Sequence, residues 1–216
     1  MPLPQGPSLR RSLALLAAVA VLAGGAFVAL RAARSRPPAP LTLAASLYPA
    51  PRPLPEFVLA TSAGARFGRR ELLGHWTLLT FGFSNCPDAC PTTLTELALA
   101  RRELAGLPAP RVPAVVFVSV DPARDTPERL AGYLPQFDRA FTAVTGAPAA
   151  LAPLQQACGV VAILGRAESG SYAVEHSSAV FLVDPEARLA AVFPAPQSAQ
   201  VLSADYRAIV SARDRS

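Results

Sequence analysis

The chain has 216 residues, 51% hydrophobic and 16% charged, with a formal net charge of +5. Five of its 20 basic residues lie in the first 36, where there is no acid, and the other 15 match the 15 acids of the remainder. The bulk of the chain is therefore not a basic, nucleic-acid-seeking domain. All 20 are arginine, which reads as GC-rich coding and points to a bacterial source.

Residues 1–11 form a short N-terminal segment. The run 12–30 carries no charge and is rich in Leu, Ala and Val. At about 1.5 Å rise per residue it matches a hydrocarbon core of about 30 Å, and it predicts an uncleaved transmembrane anchor. The apolar run continues past the weak small-residue cleavage site at 23–26, and it holds no cysteine for a lipid anchor. Arg10 and Arg11 precede it, and Arg31, Arg34 and Arg36 follow. Arginine on both flanks leaves the orientation open. Seven prolines between 37 and 55 make 31–54 a stiff, extended spacer. The folded unit is expected over 55–212, a length that suits one domain.

Glu56–Leu59 predicts a short strand, Gly64 a turn and Arg66-Phe67 a return. Arg69–Leu73 predicts a short helix closed by Gly74. Trp76–Phe83 reads as a buried strand. It runs into Ser84-Asn85-Cys86-Pro87-Asp88-Ala89-Cys90-Pro91, and a helix follows from Pro91 to about Leu104 with Leu94, Leu97, Ala98 and Leu104 at helical spacing. Ala114–Val120 is apolar and β-branched, as in a parallel strand covered on both faces. Asp125 or Thr126 caps a helix that Pro127 opens. Phe141–Thr145 is a short strand, Ala149–Cys158 a helix ended by Gly159, and Val160–Leu164 strand-like. Ala179–Val183 and Leu189–Phe193 form a hairpin around Asp184–Ala187, and a last helix runs from Ser198 to about Ala212. Strands alternating with helices and closing in a hairpin define an α/β layer fold, an order that fits a thioredoxin-like domain.

The chemistry centres on Cys86 and Cys90. Two thiols in a strand–loop–helix sit where unpaired helix N–H groups and the helix dipole stabilise a thiolate. A thiolate attacks disulfides and binds soft metals, so the pair predicts redox chemistry, metal binding or both. A purely structural disulfide is a weaker reading, because so short a loop constrains little chain entropy. His176, in Glu175-His176-Ser177-Ser178, is one of two histidines. Taken alone it reads as a satisfied loop residue. Beside two thiols it completes a soft set that selects Cu(I) or Zn. Cys158 reads as a buried, inert thiol, and His75 has no ligand role. Asp88 reads as a partner contact or, about equally, as loop capping, Asp121, Asp125 and Thr126 as turn and cap residues, and Glu175 as a solvated loop carboxylate.

Four segments together resemble the Sco/SenC family of membrane-anchored copper proteins that mature cytochrome c oxidase. They are Gly82–Pro91, Ser119–Glu128, Glu175–Ser178 and Phe181–Pro185. Asn85 and Glu175 depart from the family's usual residues at their positions, and neither is a ligand. The resemblance implies a thioredoxin-like fold with copper held by Cys86, Cys90 and His176. It also implies delivery to the dinuclear copper site of cytochrome c oxidase subunit II, with a copper donor and a thiol reductant upstream. It places the domain outside the cytoplasm, on a single-pass anchor in the bacterial cytoplasmic membrane. The alternative is a membrane-anchored thiol–disulfide reductase acting on the oxidase or on other exported proteins. Against a general thioredoxin, no proline occupies Glu175–Ser178, where such proteins carry a cis-proline. A third reading is an anchored interaction domain with a structural disulfide.

Overall fold

A computed structural model describes residues 9–34, 41–160, 163–164, 174–175 and 178–214. The chain divides into two units, one containing the N-terminal helix and the other spanning Leu41–Val210.

The first unit contains helix α1, Leu9–Arg34. Its side chains are described over 14–27 and at Arg31. Leu15, Leu16, Val19, Val21, Leu22 and Phe27 are all more than half exposed. Among the described residues no helix is long and apolar enough to cross a membrane.

The second unit is built on an eight-stranded mixed sheet. Its strands are β1 (Ser46–Pro53), β2 (Val58–Thr61), β3 (Arg66–Gly68), β4 (Thr77–Gly82), β5 (Ala114–Ser119), β6 (Thr142–Thr145), β9 (Val180–Val183) and β10 (Arg188–Phe193), in the order β1-β10-β9-β4-β5-β6-β2-β3. Strands β7 (Ile163–Leu164) and β8 (Val174–Glu175) form a separate antiparallel pair. β4, β5 and β6 run parallel, and β9 runs antiparallel to β4. Every residue of β4 is buried, as a central strand covered on both faces requires.

Alternation along β4 sends Leu78 to one core and Leu79 and Phe81 to the other. The first core is filled from α2 (Ala89–Leu104), α3 (Pro127–Tyr133) and α5 (Ala199–Arg213), by Leu94, Leu97, Leu130, Leu202 and Tyr206 among others. The second is filled from α4 (Pro148–Cys158) by Leu151, Leu154 and Cys158. Gly159 ends α4 at φ 67°, in the left-handed region that favours glycine. Thr126 caps α3 by accepting the Arg129 N–H at 3.3 Å.

Two expectations need correction. The proline-rich stretch is not a free spacer up to residue 54, and the folded unit does not begin at Pro55. β1 pairs with β10 as an edge strand, its register shifting between Leu47 and Arg52. Prolines 49, 51 and 53 are tolerated there because an edge strand leaves one side of its backbone unpaired. Ahead of β1, the buried carboxylate of Asp205 on α5 accepts the N–H groups of Leu43, Ala44 and Ala45 at 2.6, 2.9 and 2.8 Å. Helix α2 also starts at Ala89, two residues before Pro91. Pro91 still sits among the first four positions, whose N–H groups have no intrahelical partner.

Candidate metal centre

The carboxyl ends of parallel strands are where open α/β sheets place their sites. β4 ends at Gly82 and leads into the cysteine loop, and β5 ends at Ser119 and leads into Asp121–Thr126. The start of the antiparallel β9 lies at the same end, with Val180 opposite Thr80.

Cys86 is half-buried in the loop, and Cys90 is buried on the first turn of α2. Neither is joined in a disulfide, and Cys86 packs against the core cluster that contains Cys90. The Cys90 N–H points at Cys86 Sγ at 3.4 Å. The N-cap residue Asp88 makes no side-chain capping bond to the helix backbone. The sulfur of Cys86 thus takes one of the orphan N–H groups that a cap would take. Burial pushes the Cys90 thiol well above the ordinary cysteine range; the Phe83 backbone, next in size, opposes this, and Cys86 and Asp125 add to the rise. A soft cation that binds Cys90 has to displace a tightly held proton.

Cys90 has a fitted seat. A Cβ on Gly82 would stand 2.8 Å from Cys90 Sγ and 2.6 Å from Phe117 Cε2, so the strand needs glycine where it passes under the sulfur. Cys90 also lines a narrow crevice with Thr80, Phe81, Thr93, Phe117 and Ser178. Gln197 bridges its walls. Its amide nitrogen donates to the Ser178 carbonyl at 2.9 Å and to Phe193 at 3.2 Å, and its amide oxygen accepts from Thr93 Oγ1 at 3.5 Å.

The structure brings Cys86 and Cys90 together. His176, the third expected ligand, lies outside the described residues, and among those described no group of three metal-ligating side chains occurs. Cys158 is buried in the core beneath α4, where burial pushes its thiol up to about 12. His75 is partly buried, its Nδ1 3.1 Å from the Leu73 carbonyl oxygen. Asp121 pairs with Arg124, whose guanidinium lies 5.5 Å from the centre of the Phe83 ring.

Asp125 corrects the reading of it as a cap, since Thr126 has that role. Fully buried, it accepts the Ser84 N–H at 2.9 Å and the hydroxyls of Ser84 and Ser119 at 2.5 Å each. Arg129 donates to Ser84 Oγ at 2.6 Å and to the Asn85 side-chain oxygen. Sequence reasoning missed Asp125, Arg129, Gly82 and Gln197 as supports of the site. Asp125 carried a local signal in Asp125-Thr126-Pro127, but a cap explains that signal equally well.

A mixed sheet with helices on both faces and a dithiol at the head of α2 defines a thioredoxin-like domain with a thiol-based site. The SCO1/SenC family model matches residues 48–211, and the chain belongs to that family. BsSco, described as a member of the Sco family of cytochrome c oxidase assembly proteins, shares the fold with a TM-score of 0.58 at 19% identity, covering 74% of this chain and 95% of that one. A protein of Stutzerimonas stutzeri described as a candidate copper-binding protein is 37% identical over 152 residues, covering 69% of this chain and 73% of that one. The mitochondrial SCO2 homologue of Bos taurus is 32% identical over 205 residues, covering 94% and 77%. Yeast Sco1, solved with copper bound, superposes with a TM-score of 0.68 at 28% identity, covering 74% of this chain and 90% of that one.

Proposed function

We propose that this protein is a membrane-anchored copper carrier of oxidase assembly. Cys86, Cys90 and His176 hold one copper ion as cargo and pass it to the dinuclear copper site of cytochrome c oxidase subunit II. The observation that carries this reading is the paired sulfurs at the start of α2, one capping the helix and one seated over Gly82. Two thiolates suit a soft ion, and exchange of thiolate ligands moves such an ion between proteins without releasing it. Ser178, two residues after His176, lines the same crevice as Cys90, which supports the histidine as third ligand. The thiols bind only when reduced, so a thiol donor and a copper donor act upstream. Residues 12–30 anchor the chain in the bacterial cytoplasmic membrane, with the sheet domain facing the periplasm. The exposed apolar side chains of α1 over 14–27 support this, as such a surface is one that lipid can cover.

One observation favours a second reading, a thiol–disulfide reductase. A half-exposed Cys86 beside a buried Cys90 is the asymmetry of an attacking and a resolving thiol. Anaerobic copper loading separates the two. The reduced protein is expected to take up one copper, and Cys86→Ser, Cys90→Ser and His176→Ala each to lose tight binding, while Cys158→Ser and His75→Ala keep it. In cells lacking the wild type, His176→Ala is expected to fail to restore oxidase activity at low copper. Full rescue by His176→Ala, with none by the cysteine variants, favours the reductase.

A further inference from the structure

The two sulfurs are held by different parts of the molecule. Cys90 sits on the first turn of α2 and packs into the second core, with Phe81 and Leu151. Cys86 belongs to a loop whose own backbone gives it one bond, from its N–H to the Phe83 carbonyl at 3.2 Å. What fixes that loop comes from 41 residues away, where Asp125 takes both the N–H and the hydroxyl of Ser84. The same carboxylate is tied to the end of β5 through Ser119 Oγ. Its own N–H is bonded to the Asp121 carbonyl at 2.9 Å. Arg129 closes the arrangement, 3.9 Å from Asp125 and bonded to Ser84 and Asn85. A fully buried carboxylate receiving three donors, on a helix that another residue caps, is more than the turn requires.

We propose that Asp125, with Arg129, is the positioning residue that sets where Cys86 stands against Cys90. It holds the loop in the unjoined dithiol arrangement in which a soft metal is gripped. The inference rests on the reading of Cys86 and Cys90 as the working pair. A disulfide requires the two Cβ atoms within about 3.5–4.5 Å. A loop pinned at Ser84 resists whatever movement that closure needs, whereas a released loop yields to it. Weakening the clamp therefore shifts the pair towards the disulfide and loosens the metal site. Asn at 125 keeps the shape, but its NH2 group faces a donor instead of accepting from it.

The test equilibrates the protein with mixtures of reduced and oxidised dithiothreitol. Cys86 and Cys90 lose two protons and two electrons as their disulfide forms, and oxidised dithiothreitol takes them up as the dithiol. Asp125→Asn and Arg129→Gln are each expected to move the equilibrium about tenfold towards the protein disulfide, about 30 mV for a two-electron couple. Ser84→Ala, which keeps the N–H bond, should move it less. Asp205→Asn is the matched control. It too alters a buried carboxylate with three donors, but one that grips residues 43–45. Its equilibrium should stay within twofold of wild type even where its melting temperature falls as far. An unchanged equilibrium in both Asp125→Asn and Arg129→Gln, a shift towards the dithiol, or an equal shift in Asp205→Asn overturns the proposal. If Asp125→Asn does not fold, Arg129→Gln and Ser84→Ala decide it alone. Copper does not enter this measurement, so a wild type that fails to bind copper would defeat the proposed function and leave this comparison standing.

Discussion

The three cysteines do not share one access to solvent. Cys86 is half-exposed, while Cys90 and Cys158 are buried. For Cys158, burial penalises the thiolate and raises its pKa from 9.0 to about 12. A group whose folded pKa is raised contributes stability below its unfolded value and loses it as pH climbs through the folded one. Between about pH 9 and 12, ionisation of Cys158 thus works against the fold. At pH 8 only about one ten-thousandth of Cys158 is thiolate, the form that alkylates. Iodoacetamide at pH 8 is expected to modify Cys86 first and to leave Cys158 intact until the protein is unfolded in urea; mass spectrometry of timed digests reads the order. Modification of native Cys158 as fast as Cys86 would contradict its burial. The working pair was legible because its signal is local: two thiols, a strand before and a helix after. Asp125 was not, because its task depends on a loop 41 residues away that only folding brings to it.

At the level of elements, most strands and helices follow from hydrophobic period and from stop signals such as Gly159. β1 does not, because its prolines signal a spacer when read along the chain. Only the partner strand reveals that one side of the backbone remains available for pairing. What delivers β1 to β10 is the grip of Asp205 on three successive backbone N–H groups just before it. Asp205→Ala leaves those donors to water or to nothing and is expected to cost about 1–3 kcal/mol. Urea unfolding followed by tryptophan fluorescence measures this, since Trp76 packs edge-on against Tyr206, the neighbour of Asp205. Hydrogen exchange should rise first in 43–53, with β4 and β5 unchanged. A variant as stable as wild type, or one that loosens β4 equally, would remove Asp205 from this role.

For the whole chain, the proposed anchor makes a direct prediction. Reporter fusions after Pro55 are expected to be active only when exported, and deletion of residues 1–40 to release a folded, copper-binding domain into the soluble fraction. A mature N-terminus near residue 27 would show cleavage instead. A domain tethered to a bilayer meets its neighbours at high local concentration, and an open sheet edge then invites strand-to-strand addition. Both edges of this sheet are poor templates for it. At one end stands β3, three residues long. At the other stands β1, with three prolines that offer no N–H and a break in its register. The residues that disguise β1 in the sequence thus leave the sheet unable to grow, and tethered copies can crowd together without polymerising through their edges.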